Sequence, residues 1–211
     1  GWFAHFPELK VIMPSSPQDA YSLTREAIED DDPVIILEHR WMYDIVGEVD
    51  TALRVPIGSA HVRKTGKDLS LICTSWMNIE AHKAAEILER HGLSVEIVDV
   101  RSIAPFDSKT VIDSVSKTGR CIVADYDWSF CGFGAELAAQ ISHGCFGKLK
   151  QPIERLGFAH TPCPTTRPLE NLFYPDAVDM VRTTEKMLGL KALDLSKDTF
   201  YTYEANFKGP F

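Results

Sequence analysis

The chain has 211 residues, of which 45% are hydrophobic and 25% are charged, a composition typical of one or two soluble globular domains. A net charge of −8 argues against a nucleic-acid partner, and no apolar run approaches the about 20 residues of a membrane span. The five cysteines are odd in number and form no Cys-x-x-Cys pair, so neither a disulfide framework nor a zinc site is indicated, and a reducing cytoplasm is predicted.

Residues 1–50 predict one strand–helix–strand unit. Residues 10–13 form a short apolar run that Pro14 ends. Ser16 is followed three residues later by Asp19, which is the start signal of a helix, and residues 34–37 predict a second strand. Parallel strands present two apolar faces, which one such unit does not cover. We therefore expect residues 1–50 to be the closing part of a domain whose earlier strands precede Gly1.

Residues 51–190 predict a second, more complete domain. A turn at residues 65–68 predicts a hairpin that pairs an antiparallel strand at 58–64 with the next strand along the chain. Beyond it, strands alternate with helices, which favours a three-layer α/β/α sandwich with a mostly parallel sheet. The predicted strands are 69–74, 94–100, 121–124 and 153–158, and the predicted helices are 79–90, 107–117, 134–145 and 176–188.

Residues 191–211 show no period. They predict an irregular C-terminal arm that is either packed through its aromatic residues or frayed.

Glu38, His39 and Arg40 follow the second predicted strand directly. The carboxyl ends of parallel strands line the ligand crevice of α/β sheets. A carboxylate, an imidazole and a guanidinium at that position can hold a phosphate or carboxylate group, or move a proton. A solvated strand end with local ion pairs explains the same three residues, so both interpretations stay open here.

Two loops of the second domain offer further candidates. Gly132-Phe133-Gly134 precedes a helix, where glycines let backbone amides approach an anion, but the spacing favours a tight turn over a dinucleotide site. His160 and Cys163 suggest a metal site or a nucleophile, whereas the flanking prolines favour a stiff loop with a shaping role. We retain His160 with Glu38, His39 and Arg40 as substrate-binding candidates and assign no catalytic, cofactor or metal residue.

Several strings of the chain resemble the beta subunit of the E1 component of 2-oxoacid dehydrogenases. Residues 2–17 (WFAHFPELKVIMPSSP) and 31–39 (DDPVIILEH) are similar to its pyrimidine-binding domain. Its transketolase-type C-terminal domain is resembled by residues 98–107 (VDVRSIAPFD), 117–120 (KTGR), 132–136 (GFGAE) and 161–164 (TPCP). The resemblance runs in order over about residues 2–188.

This resemblance implies a thiamine diphosphate-dependent enzyme that decarboxylates a 2-oxoacid and passes the acyl unit to a lipoyl group. It implies thiamine diphosphate and Mg in the full assembly, an E1 alpha-like or N-terminal thiamine-binding subunit as partner, a homodimer through the C-terminal domain, and E2 docking. In this family the cofactor-activating glutamate and an active-site histidine would both lie before Gly1. The isolated chain is therefore expected to be inactive and to bind no cofactor alone.

Local departures from the family pattern keep other functions open. His160 stands where many relatives carry Asp, and Trp41-Met42 replaces a Lys/Arg-Leu-like pair. Arg40 is the nearest match to a basic residue that contacts substrate phosphate in transketolase-like members. One alternative is the C-terminal subunit of a split transketolase, which transfers a ketol unit between sugar phosphates. Another is a non-catalytic interaction or small-anion-binding module of the same fold, with its site near residues 132–134.

Overall fold

A computed structural model describes residues 1–200 of the chain, and within them eight strands and six helices. The strands are β1 (Lys10–Ile12), β2 (Val34–Ile36), β3 (His61–Lys64), β4 (Leu69–Cys73), β5 (Val95–Asp99), β6 (Ser102–Ala104), β7 (Cys121–Trp128) and β8 (Glu154–Phe158). The helices are α1 (Pro17–Glu29), α2 (Met77–Arg90), α3 (Ser108–Thr118), α4 (Phe133–Gly144), α5 (Arg167–Glu170) and α6 (Ala177–Leu188). No helix in this part of the chain is long and apolar enough to cross a membrane.

The larger sheet has the strand order β3-β5-β4-β7-β8, and all of its strands except β3 run parallel. Leu71 and Ile72, which are neighbours in the central strand β4, enter two different hydrophobic clusters because successive side chains point to opposite faces of a strand. The Leu71 cluster takes its helical residues from α2 and α6, and the Ile72 cluster takes them from α3 and α4. The predicted three-layer α/β/α architecture is confirmed.

The predicted hairpin is wrong in its pairing. β3 is antiparallel to β5, with His61 opposite Asp99, and not to the next strand β4. Both edges of β4 are taken by the parallel neighbours β5 and β7, so no edge is left for β3. The turn instead crosses the start of β5, where the backbone N–H groups of Lys67 and Asp68 donate to the carbonyl of Ser94. Gly66 permits the crossing, because a Cβ atom there would overlap the backbone of Val95.

A smaller sheet has the order β2-β1-β6 and joins the two predicted domains. β1 runs parallel to β2 and antiparallel to β6, which comes from the second segment and was not predicted. Arg101 separates β5 from β6 and adopts a left-handed backbone conformation with φ of 55°, which redirects the chain toward β1. Within the described residues, β2 has a strand partner on one side only. The boundary near residue 50 and the missing earlier strands stay predictions.

A buried group of charged residues connects α1 to the second segment, residues 51–190. Ser16 caps the helix as predicted, accepting the Asp19 backbone N–H at 3.1 Å. The Asp19 carboxylate, 1% exposed, accepts from Arg101 at 2.8 Å and pairs with Arg63. Arg63 also donates to Asp99 at 2.8 Å. Because α1 and these partners come from distant parts of the chain, the group fixes the position of the first segment on the second.

The arm is described as far as residue 200. Leu193, Leu195 and Phe200 pack against the core cluster that contains α2 and α6. The backbone N–H of Leu193 donates to Glu185 at 2.8 Å, which anchors the start of the arm on α6. The prediction for residues 201–211 lies outside the described residues.

Candidate functional site

A crevice of about 220 Å³ lies at the carboxyl ends of the parallel strands β1 and β2. Of the four candidate residues, Glu38 and His39 line it, and Arg40 and His160 do not. The rule that ligands bind at the carboxyl ends of parallel strands therefore selects the place at which this crevice forms. The other lining residues are Pro14, Ser15, Ser16, Pro17, Ala20, Met42, Tyr43 and Ile45.

His39 is held by three aromatic side chains. Its ring stacks on Trp76 with centroids 5.4 Å apart, and it meets Trp41 at 5.2 Å and Tyr126 at 4.8 Å in edge-on contacts. The backbone N–H of Trp41 donates to Nδ1 at 3.3 Å. Because Nδ1 accepts a hydrogen bond, the proton of the neutral ring is on Nε2.

Burial among these rings lowers the pKa of His39 to about 4. Desolvation disfavours the charged imidazolium, and the aromatic neighbours supply no carboxylate to offset it. At neutral pH His39 is therefore an uncharged hydrogen-bond donor through Nε2. It can orient a carbonyl or carboxylate oxygen, but it does not supply a positive charge to an anion.

The ring of His39 is expected to titrate near pH 4, because its environment favours the neutral form. Two-dimensional NMR of the histidine rings across a pH series measures this directly, and loss of the resonance in His39→Gln assigns it. In Trp76→Leu, which removes the stacked ring, the midpoint should move toward the ordinary value of about 6.5. A native midpoint at or above pH 6, or the same midpoint in both proteins, would contradict the burial argument.

Glu38 and Arg40 are both exposed, and they differ in their contacts. Glu38 accepts a hydrogen bond from the Tyr43 hydroxyl at 3.2 Å, which raises the pKa of Tyr43. Arg40 begins a 3₁₀ turn, Arg40–Met42, that redirects the chain after the crevice-lining residues. The three consecutive residues thus separate into two that line the crevice and one that starts the turn.

His160 lies in a different environment, past the end of β8. It is exposed, and its ring meets Phe130 edge-on with centroids 5.9 Å apart. Cys163 is also exposed and lies 3.4 Å from the hydroxyl of Tyr174. Within residues 1–200, no group of three or more His, Cys, Asp or Glu side chains is arranged to hold a metal ion. A role of His160 in substrate binding stays a prediction.

The glycine loop before α4 has the geometry of a tight turn. A Cβ atom on Gly132 would overlap the carbonyl oxygen of Trp128, and the Asp127 carboxylate lies 3.4 Å from the same position. A negative charge at that distance disfavours an anion. The close backbone approach, rather than a bound ligand, accounts for the glycine at 132.

Ser15 and Ser16 line the crevice although neither was chosen as a candidate. They follow β1 directly, so the strand-end rule that selected Glu38 and His39 applies to them equally. Both hydroxyls already have structural partners. Ser15 donates to Asp99, and Ser16 donates to Asp19 at 2.6 Å as well as capping α1.

The crevice does not by itself fit a large diphosphate cofactor and its metal. Ligand pockets usually measure about 300–1,000 Å³, and this one measures about 220 Å³. Its carboxylate and neutral histidine offer no positive charge to a diphosphate, and no lysine or arginine is among the described residues that line it. The crevice therefore provides one wall of such a cofactor site at most.

Two family models match the chain. The transketolase pyrimidine-binding domain matches residues 1–45, and the transketolase C-terminal domain matches residues 58–180. The second match alone covers more than half of the 211 residues, so the chain belongs to the transketolase C-terminal domain family.

Curated relatives include beta subunits of two enzymes. The beta subunit of acetoin:2,6-dichlorophenolindophenol oxidoreductase from Cupriavidus necator is 39% identical over 187 residues, which are 88% of this chain and 55% of the relative. The mitochondrial beta subunit of the pyruvate dehydrogenase E1 component from Pisum sativum is 38% identical over 190 residues, with coverages of 88% and 53%. The chain thus spans about half the length of the curated relatives it matches, and the resemblance to E1 beta subunits is confirmed.

Among solved structures, the inactive beta4 tetramer of a split-gene transketolase superposes with a TM-score of 0.73 at 25% identity. The match covers 90% of this chain and 61% of that one. A transketolase from Pichia stipitis, the H261F mutant, matches at 16% identity with a TM-score of 0.55, covering 89% of this chain and 26% of that one. The second match supports the fold alone.

Proposed function

We propose that the chain acts as the C-terminal portion of a thiamine diphosphate-dependent E1 beta-like subunit, in an assembly that decarboxylates a 2-oxoacid and transfers the acyl unit. The observation that carries this proposal is the match to beta subunits over 187 to 190 residues, which extends across both family-model regions. Assembly and partner docking are the main roles of this portion. Its partners are an E1 alpha-like or N-terminal thiamine-binding subunit, a second copy bound through the C-terminal domain, and an E2 component.

In this proposal the crevice contributes one wall of the substrate site. His39 offers its Nε2–H to a carbonyl or carboxylate oxygen, since its ring is neutral and its Nδ1 is already occupied. Exposed Arg40 and His160 contact substrate or partner groups from outside the crevice. Thiamine diphosphate and Mg are held mainly by parts of the assembly other than the described residues, and the compartment is the cytoplasm.

The isolated chain is expected to show no tight binding of thiamine diphosphate in the presence of Mg²⁺, because its described residues hold no cluster of three metal-ligating side chains and no described lysine or arginine lines the crevice. Isothermal titration calorimetry measures this. Stoichiometric, tight binding by the chain alone would contradict the proposed division of roles. Thiochrome fluorescence of the recovered protein provides an independent check for cofactor carried through purification.

A reconstituted assembly tests the activity itself. The chain is combined with an E1 alpha-like subunit and a polypeptide that supplies the front half of a beta subunit, and reduction of 2,6-dichlorophenolindophenol is followed with pyruvate or with acetoin. Dye reduction that requires this chain supports the proposal, and the faster substrate identifies the chemistry. His39→Gln should lower kcat/KM, whereas Lys109→Gln, on the exposed side of α3, should leave it unchanged.

A split transketolase is the second candidate, and the superposition on the split-gene transketolase favours it. The same assembly is then assayed for ketol transfer between a ketose phosphate and an aldose phosphate. Transfer without dye reduction would replace the 2-oxoacid proposal. In that case Arg40→Gln should raise KM for the phosphorylated substrate, because Arg40 supplies the exposed positive charge after β2.

A further inference from the structure

A second cavity of about 220 Å³ is lined by Trp41 and Trp76, two of the rings that contact His39. Five aromatic side chains line it: Trp41 after β2, Trp76 before α2, Tyr126 in β7, Tyr174 between α5 and α6, and Phe200 in the arm. The first four come from separate parts of the chain and from both family-model regions. None was a candidate from the sequence, because no local motif contains more than one of them.

The rings form a corner with walls in different orientations. Trp41 and Trp76 have centroids 5.4 Å apart and planes at 80°, and Trp41 meets Tyr174 at 6.1 Å and 66°. Tyr126 stacks on Tyr174 with centroids 5.1 Å apart and planes at 6°. Aromatic rings carry negative potential on their faces, and walls at an angle let one compact cation contact more than one ring.

Carboxylates give the same cavity a negative electrostatic potential. Glu80 lines it and is 5% exposed, with its Oε2 accepting the backbone N–H of Ala177 at 3.0 Å. Burial raises the pKa of Glu80 to about 7, and the neighbouring charges of Asp176 and Asp179 contribute in the same direction. A cation beside Glu80 would favour its ionised form.

Glu170 and Asp176 line the cavity as well, and no lysine or arginine is among the described residues that do so. No cationic side chain of the described lining therefore pairs with the three carboxyl groups, although Glu80 accepts a backbone N–H from Ala177 and Asp176 caps α6. An anionic ligand is disfavoured here, and a cationic one is favoured by both the rings and the carboxylates.

We propose that this cavity binds a small organic cation with an alkylammonium head group. Its volume is below the usual range of about 300–1,000 Å³ for drug-sized ligands, so it matches a trimethylammonium-sized group rather than a large molecule. The proposal does not depend on the enzymatic function proposed above, because it rests on the rings and carboxyl groups of this cavity, although Trp41, Trp76 and Tyr126 also contact the His39 ring.

Calorimetric titration of the full chain tests the proposal, with choline as the probe and 3,3-dimethylbutan-1-ol as its uncharged isostere. Choline is expected to bind at one site per chain, and the alcohol at least fivefold more weakly, the ratio that a cation–π contribution of about 1 kcal/mol predicts. Equal affinity for the two compounds would overturn the proposal, because apolar contact alone would then explain binding. An absence of choline binding at millimolar concentrations would overturn it too.

Variants separate the rings from the carboxylates. Trp41→Leu should weaken choline binding at least fivefold, and Glu170→Gln, a half-buried position at the cavity, should weaken it about twofold to fivefold. Tyr174→Phe keeps the ring and should bind within twofold of the native chain. Glu86→Gln, on the exposed side of α2, is the matched carboxylate control and should have no effect. Native-like affinity in both Trp41→Leu and Glu170→Gln would refute the assignment of this cavity.

Discussion

Replacement of Asp19 by alanine is expected to lower the free energy of unfolding by about 3–5 kcal/mol, the cost of breaking a buried ion pair from one side. Asp19 is 1% exposed and serves two arginines, Arg101 at 2.8 Å and Arg63, whose side chains are 7% and 18% exposed. Without the carboxylate, the guanidinium of Arg101 stays buried with only neutral oxygens of Ser59 and Ala60 as partners. The uncompensated charge, more than the lost attraction, accounts for the size of the effect.

The same effect should depend on pH in a defined direction. Burial by itself would raise the pKa of Asp19, but Arg63, the hydroxyl of Ser16 and Arg101 outweigh it and hold the pKa below its usual value. A lowered folded-state pKa means that the carboxylate stabilises the fold fully above the unfolded pKa of about 3.9. The Asp19 charge itself therefore contributes equally from pH 7 to pH 5, whereas Asp99, whose pKa is raised to about 6 by burial and in part by Asp19, makes the difference between native protein and variant larger at pH 5 than at pH 7. The difference should shrink as the pH falls through the lowered pKa of Asp19.

Urea unfolding followed by circular dichroism measures both effects. Asp113→Ala is the matched control, because Asp113 forms a solvent-exposed ion pair with Lys109. The two side chains are 63% and 86% exposed. That change should cost no more than about 0.5 kcal/mol. A loss for Asp19→Ala as small as the loss for Asp113→Ala would show that the buried charges do not fasten α1 to the second segment.

The helices with an amphipathic pattern were predictable because the residues that form each pattern lie close together in the sequence. Helix α3 was predicted at residues 107–117 and lies at Ser108–Thr118, with Val111 and Val115 on its buried face. Strand β6 was not predictable, since its three residues become a strand only by pairing with β1, about ninety positions earlier. The turn at 65–68 predicted the reversal of the chain correctly, because a turn depends on neighbouring residues. It predicted the wrong partner for β3, because that pairing depends on residues far along the chain.

The position of the crevice was predictable from the sequence but its chemistry was not, and the binding of substrate there stays a prediction. Strand-end reasoning selected Glu38 and His39, and both line the crevice. The neutral state of His39 depends on Trp76 and Tyr126, which lie far along the chain and approach it only through tertiary packing. The aromatic cavity was not predictable either, because its rings come together only through tertiary packing. In the sequence each of them looks like an ordinary hydrophobic residue.

Replacement of Gly132 by alanine is expected to cost about 3 kcal/mol of folding free energy, the upper end of the usual overpacking range. The new Cβ atom would overlap the Trp128 carbonyl oxygen, which is backbone and has no side-chain rotamer to relieve the overlap. The preceding Cys131 already holds a left-handed conformation with φ of 57°, so the turn has little remaining freedom. The change should therefore open the connection between β7 and α4 and lower Tm.

Gly134→Ala provides the matched comparison within the same three-residue motif. Its Cβ atom would lie 3.4 Å from the Val123 side chain, an ordinary contact, and it falls in the first turn of α4. Alanine is a better helix residue than glycine by about 0.5–1 kcal/mol, so this variant should be as stable as the native chain or slightly more stable. Differential scanning calorimetry of the two variants compares them directly. Equal Tm values would show that the backbone contact with Trp128 is not the reason for the glycine at position 132. An anion site, which requires accessible backbone amides before α4, would then be the remaining explanation for this glycine.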